Sequence, residues 1–175
     1  MPKSNFPQYK WNIILFSLAI LSIGLDQLSK WWIDKHFYLG QSAPATGFFR
    51  LTYVHNTGAA FSIFQNNVSI LALVSLVGAI ITLVFIFWGL PRLPFINTRI
   101  NKIALGLILG GICGNMIDRF WLHYVRDFVD VGIWPIFNVS DSSMVVGIII
   151  FAVSLLFLTK TTAKDEPASP PVSKT

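Results

Sequence analysis

Acidic residues are scarce in this chain: eight Asp and Glu among 175 residues. Three of them, Asp127, Asp130 and Asp141, fall in one stretch from Tyr124 to Asp141, between two long apolar runs. Two carboxylates at hydrogen-bond distance do not both ionise readily. One keeps a proton, the other stays anionic, and the pair can activate a bridging water. One acid would take the water's proton as it attacks a carbonyl, and the other would protonate the carbonyl oxygen. Parity selects the pair. If Arg126–Val131 is extended, Asp127 and Val129 point one way while Phe128 and Asp130 point the other. Asp127 and Asp130 then cannot share a site, and Asp141, after the turn, becomes the partner of Asp127. The same acids would also suit a structural network or an ion pathway.

Other chemistries lack their parts. His36, His55 and His123 have no HExxH spacing, no GxSxG elbow occurs, and no Walker or dinucleotide glycine loop is present. The single cysteine, Cys113, provides neither a disulfide framework nor a thiolate cluster and reads as a small buried hydrophobe. No metal or cofactor is expected. The net charge of +5 is scattered rather than gathered into a basic face, which argues against nucleic acid. Asn67-Val68-Ser69 and Asn138-Val139-Ser140 match the glycosylation pattern only as short, accidental strings.

The elements that must position these acids are membrane spans. The chain is 54% hydrophobic and only 12% charged, with mean hydropathy +0.63; an ordinary globular protein has about a quarter of its residues charged. Four apolar runs, about 11–33, 68–90, 103–120 and 142–159, are each long enough to cross a bilayer core of about 30 Å. A cleaved signal peptide is the rival for the first run. However, the faint Ala43-Pro44-Ala45 site lies too far beyond it, and Asp26 and Lys30 interrupt its second half. Between spans one and two, Phe49–His55 alternates with period two and ends at the turn signal Asn56-Thr57-Gly58, before Phe61–Phe64. The expected fold is therefore an all-α membrane protein of four transmembrane helices with a small extracytoplasmic β-sheet. One integral-membrane domain is expected over 1–160, and residues 161–175 read as a disordered cytoplasmic tail.

Basic residues set the orientation. Lys3, Lys10, Arg92, Arg99, Lys102, Lys160, Lys164 and Lys174 fall on one side, so both termini are expected in the cytoplasm. Asp26 and Lys30, then Asn115, Asp118 and Arg119, then Asp141 consequently lie at one depth, near the outer face. Each group also has a structural reading. Asp26 and Lys30 suit an i,i+4 ion pair, and Asp118 and Arg119 can neutralise each other and bond to the hairpin. Gly106, Gly110 and Gly114 repeat at the spacing that lets helices approach closely.

With these residues in place, the chain resembles the lipoprotein signal peptidases (type II signal peptidases) of bacterial inner membranes. The resemblance rests on an ordered set over nearly the whole chain: Asp26-Gln27 with Lys30, and Asn56-Thr57-Gly58-Ala59-Ala60-Phe61. It continues in Gly110-Gly111 with Gly114-Asn115 and Asp118-Arg119, Val125-Arg126-Asp127-Phe128, and Phe137-Asn138-Val139-Ser140-Asp141. It implies an aspartic endopeptidase that cuts signal peptides from prolipoproteins just before a diacylglyceryl-modified cysteine. Asp127 and Asp141 would be catalytic. Asp26, Lys30, Asn56, Gly58, Asn115, Asp118, Arg119 and Asn138 would support the dyad or hold substrate. Ser140 stands where the family commonly has Ala. The implied partners are prolipoproteins and membrane lipids, with the enzyme acting as a monomer. A proton-coupled transporter and a non-enzymatic membrane scaffold are the competing classes. A transporter's acids should sit near mid-membrane.

Overall fold

The computed structural model describes residues 8–58 and 67–164. The helices are α1 (Gln8–His36), α2 (Val68–Val84), a short α3 (Leu90–Arg92), α4 (Arg99–Trp121) and α5 (Val139–Lys164). A π-helical turn, Phe85–Gly89, joins α2 to α3, and the run ends at Arg92, ahead of Pro94. Four segments are long and apolar enough to cross a membrane: Lys10–His36, Val68–Arg92, Arg99–Trp121 and Val139–Phe157. Their outward faces carry exposed Ile20, Leu28, Ile81 and Leu156, as suits contact with lipid.

The helices run beyond the expected spans at several ends, most at the start of α4 and the end of α5. Thr98 caps α4, its Oγ1 accepting the Asn101 N–H at 3.2 Å, so the helix starts before 103. Lys102 thereby leaves the expected basic connection and is buried inside α4, donating to Asn12 Oδ1 at 2.8 Å. At the other end α5 continues through 161–164; the remainder of the expected tail, and Phe61–Phe64, lie outside the described residues.

Helix α4 is central, packed on α1, α2 and α5. Its glycines make that possible. A Cβ on Gly106 or Gly110 would meet the Leu15 or Ala19 carbonyl of α1 at 2.6 and 2.9 Å, and one on Gly111 would collide with the Ser140 carbonyl of α5. The expected small-residue stripe therefore serves α1, with Gly114 also set against Ser140 of α5, and Gly111 adds a backbone contact to α5. Leu15, Ala19, Ala79, Ile86, Leu90, Ile96, Leu105 and Leu109 fill the apolar core between the helices.

A three-stranded antiparallel sheet, β1 (Ser42–Ala43), β2 (Arg50–Asn56) and β3 (Val125–Asp130), covers one end of the bundle in the order β1-β2-β3. Ile33 of α1, Tyr53 and Phe128 are its buried anchor, with Val139 of α5 packed against them. The expected alternation in β2 fails midway. The ladder shifts between Leu51 and Val54, and Thr52 and Tyr53 are both buried; such a bulge bends and twists the strand beside it.

Candidate active site

The site begins with a helix cap. Asn138 precedes α5: its Oδ1 accepts the Asp141 N–H at 2.9 Å, and its own N–H donates to Asp141 Oδ2 at 3.1 Å. This is the reciprocal arrangement of a capping box, here with Asn and Asp in the two positions. It holds Asp141 at a helix N-terminus, where negative charge is favoured. Phe137 bridges back to Val129 of β3, with the Val129 N–H donating to its carbonyl at 2.7 Å. The return chain is thus laid beside β3, and Asn138 reaches Asp127: its Nδ2 donates to Asp127 Oδ1 at 2.6 Å.

The two carboxylates sit in one polar network without sharing a direct bond. Asn56, at the end of β2, donates to Asp127 Oδ2 at 2.8 Å, and its Oδ1 accepts the Gly58 N–H at 2.9 Å. Asn115 of α4 donates to Asp141 Oδ1 at 2.8 Å, while its Oδ1 accepts from Asn138 Nδ2 at 3.0 Å and Lys30 Nζ at 2.8 Å. Burial pushes the Asp127 carboxyl up to about 7, with the charge of Asp141 adding to it and the amides of Asn56 and Asn138 opposing it. Both acids line a cleft of about 510 Å³, bounded by Val54–Gly58 on one wall, Trp134–Phe137 on another, and Asn115, Arg119 and Met144 from the helices.

Behind the cleft lies a buried charge cluster. Lys30 Nζ is 2.8 Å from Asp26 Oδ2 and 3.4 Å from Asp118 Oδ2, all three side chains fully buried. The expected i,i+4 pair therefore forms. Asp26 Oδ1 also accepts the Ser140 N–H at 2.9 Å, tying α1 to the start of α5. The expected neutralisation of Asp118 by Arg119 does not form. Neighbouring residues on a helix point in different directions, and Arg119 donates to Ser75 of α2 at 3.1 Å. Asp118 instead takes Arg126: the backbone N–H at 3.0 Å, Nε at 3.2 Å and Nη2 at 2.8 Å. This clamp fixes the residue immediately before Asp127.

Asp130 belongs elsewhere. Its carboxylate accepts from Arg50 Nη2 at 2.7 Å, Thr52 Oγ1 at 2.8 Å and the Gly132 N–H at 2.8 Å, and it shares no partner with Asp127. The structure thus gathers Asp127, Asp141, Asn138, Asn115, Asn56 and Lys30 into one network. Gly58 and Arg119 lie along the cleft, and Asp26 and Asp118 stand behind it. Two residues outside the candidate set prove central to the brace: Arg126, and Gln27, whose Nε2 donates to Asp118 Oδ1 at 3.2 Å and whose Oε1 accepts from Arg126 Nη2 at 3.1 Å. Their signal in the sequence is adjacency: Gln27 stands beside Asp26, and Arg126 beside Asp127.

Residues 18–157 match the family model described as signal peptidase (SPase) II. A lipoprotein signal peptidase of Dehalococcoides mccartyi (strain BAV1) is 46% identical over 137 residues, covering 78% of this chain and 85% of that one. One from Moorella thermoacetica is 43% identical over 140 residues, covering 79% and 90%. One from Acinetobacter baumannii (strain SDF) is 36% identical over 172 residues, covering 95% and 96%. Two solved structures, described as bacterial membrane enzymes by the in meso method at 2.3 and 1.9 Å resolution, share the fold. Their TM-scores are 0.75 and 0.70, at 26% and 27% identity. The first covers 90% of this chain and 94% of its own; the second covers 82% and 92%. Four membrane-length helices, a sheet at one end and a pair of aspartates at the junction, Asp127 buried and Asp141 half-buried, thus come with a family match over most of the chain: it belongs to the signal peptidase II family, as a multi-pass membrane peptidase of the aspartic class.

Proposed function

We propose that Asp127 and Asp141 are the catalytic dyad of an endopeptidase that removes signal peptides from diacylglyceryl-modified prolipoproteins, cutting before the lipid-modified cysteine. The observation that carries this reading is the bridge made by Asn138, which binds both carboxylates on the floor of one cleft. In the resting state the pair shares one proton. With its carboxyl raised towards neutrality, Asp127 is assigned that proton, and Asp141, anchored at a helix N-terminus, stays anionic. Asp141 takes a proton from water as its oxygen attacks the scissile carbonyl, and Asp127 protonates the carbonyl oxygen. The tetrahedral diol then collapses: Asp141 gives its proton to the departing amine nitrogen, and Asp127 recovers one from a diol hydroxyl. Products leave with the dyad back in its starting state.

The remaining residues have supporting roles. Asn56, Asn115 and Asn138 orient the carboxylates. Lys30, neutralised by Asp26 and Asp118, holds Asn115, while Arg119 and Gly58 line the substrate path. Basic residues concentrate at the end opposite the sheet, which supports cytoplasmic termini and a site at the outer face of the bacterial inner membrane. A lipid-modified cysteine keeps its acyl chains in that leaflet, so the bond to be cut lies at the depth of the dyad. The network is complete within one chain, consistent with a monomer acting among membrane lipids. Asp127 on β3 and Asp141 in the first turn of α5 stand at one end of the bundle rather than mid-helix, which favours this reading over a transporter.

Purified protein should cleave a lipid-modified prolipoprotein. Asp127→Asn and Asp141→Asn should each abolish cleavage while remaining inserted and folded. Full activity in either variant would refute the dyad.

A further inference from the structure

Strand β2 outruns β1. The two residues of β1 cover β2 only at Leu51 and Thr52. The preceding turn adds Tyr53, whose N–H donates to the Gln41 carbonyl at 3.0 Å and whose carbonyl accepts the Gly40 N–H at 2.8 Å. Beyond Tyr53 the strand continues through Val54, His55 and Asn56 against β3 on one side. Among the described residues, no backbone group pairs with it on the other.

The direction of the His55 peptide groups follows from its partner in the ladder, Arg126. The Arg126 N–H donates to Asp118 at 3.0 Å, and its carbonyl accepts from Asn138 Nδ2 at 3.5 Å, both on the side away from β2. In an antiparallel ladder the two residues of such a pair turn their peptide groups outward together. The His55 N–H and carbonyl therefore face the open edge, and Val54–Gly58 form a wall of the cleft that contains the dyad. This edge is stiff. The His55 ring stacks on Tyr124 with centroids 3.6 Å apart, and His55 Nε2 lies 3.0 Å from the Tyr53 hydroxyl. Tyr53 donates its one hydroxyl proton to Asp34 at 2.8 Å, so His55 Nε2 is the donor in their contact.

A strand edge with free peptide groups is a template for another strand. We propose that the open edge at His55 is the docking strand for substrate: the extended segment beside the scissile bond lies along β2 and exchanges backbone hydrogen bonds with the His55 N–H and carbonyl. The inference rests on the peptidase reading and adds how the chain is held. Backbone pairing is indifferent to side chains, so one edge can register many signal sequences against the same dyad.

The test replaces, one at a time, the amides near the scissile bond of a synthetic lipid-modified peptide substrate with esters, deleting single N–H donors. A single register position should raise KM about three- to tenfold with kcat little changed, its immediate neighbours being insensitive. On the enzyme side, His55→Pro deletes the outward N–H without touching the ladder, and should raise KM by a similar factor beyond that of His55→Ala, which keeps it. A flat ester scan on a substrate that is otherwise cleaved overturns edge docking and leaves the peptidase intact. Failure to cleave the all-amide substrate overturns the peptidase reading and the docking with it. Should His55→Pro fail to fold, the ester scan decides alone.

Discussion

Asn138 and Asp141 cap each other. The Asp141 N–H donates to the Asn138 side chain at 2.9 Å, and the Asn138 N–H donates to the Asp141 carboxylate at 3.1 Å. The same Asn138 amide donates to Asp127 at 2.6 Å. One asparagine thus starts a membrane helix, aims one acid and binds the other, so helix capping and active-site geometry are inseparable here.

Separating those roles is the first prediction. Asn138→Ala should destabilise the protein by about 1–2 kcal/mol through loss of the cap and lower kcat by tenfold or more. Asn138→Ser, which can still cap but cannot reach Asp127, should recover most of the stability and little of the activity. Thermal unfolding in detergent alongside cleavage rates reads both; full activity in the Ser variant would show that the link to Asp127 is dispensable.

Activity should fall as pH rises through about 7, where Asp127 loses its proton. Stability carries the same sign. The folded value lies above the free value of 3.8, so the folded state binds more protons between the two. This contribution is full below 3.8 and is lost as pH rises through about 7. A pH profile of kcat/KM with no descending limb near neutrality would contradict the assignment.

Asp130 should behave in the opposite way. The Gly132 N–H, with Thr52 and Arg50, holds its carboxyl below the usual value, so its contribution is present above 3.8 and lost as pH falls through its folded value. Asp130→Asn should weaken the sheet and lower the melting temperature in neutral buffer, yet keep kcat within about threefold, because the partners of Asp130 and Asp127 are disjoint. An Asp130 variant as inactive as Asp127→Asn would refute the separation of faces.

Removing the Asp118 charge should be more damaging. Asp118→Ala leaves Lys30 and Arg126 short of a buried counter-charge, a loss of about 3–5 kcal/mol. Arg126→Lys keeps the charge but loses the fork that binds Asp118 and Gln27, so it should fold and cleave about tenfold more slowly. Wild-type turnover in Arg126→Lys would show that the clamp does not position Asp127.

Crowding at Gly114 gives a paired test. A Cβ there would run into Ser140 Oγ and lie 2.8 Å from Asp26 Oδ2, so Gly114→Ala should cost about 1–3 kcal/mol. The Ser140 hydroxyl is buried and, among the described residues, without a hydrogen-bond partner. Ser140→Ala should therefore be neutral or stabilising, and should partly rescue Gly114→Ala in the double variant. Additive losses in a melting series would exclude the contact.

By itself the sequence determined the four spans, the end of the bundle at which the polar residues gather, and the difference between Asp127 and Asp130. Those features are local: apolar length, basic asymmetry and the parity of β3 are properties of a segment, although the same parity reading fails in β2, where packing introduces a bulge. The family match rests on the same local strings. Beyond the i,i+4 pair of Asp26 and Lys30, tertiary structure alone decided which charged groups pair. Asp118 chose Arg126 and Lys30 over the adjacent Arg119, because side chains next to each other on a helix diverge while the glycine-lined faces of α4 bring α1 and α5 close. Lys102 became a buried residue only once Thr98 capped α4, and the alternation of β2 broke where the bulge let Thr52 and Tyr53 both turn inward. The two aspartates come from different elements and are joined by asparagines from α4 and the α5 cap, and bonds between elements that are distant in sequence exist only when the chain has packed.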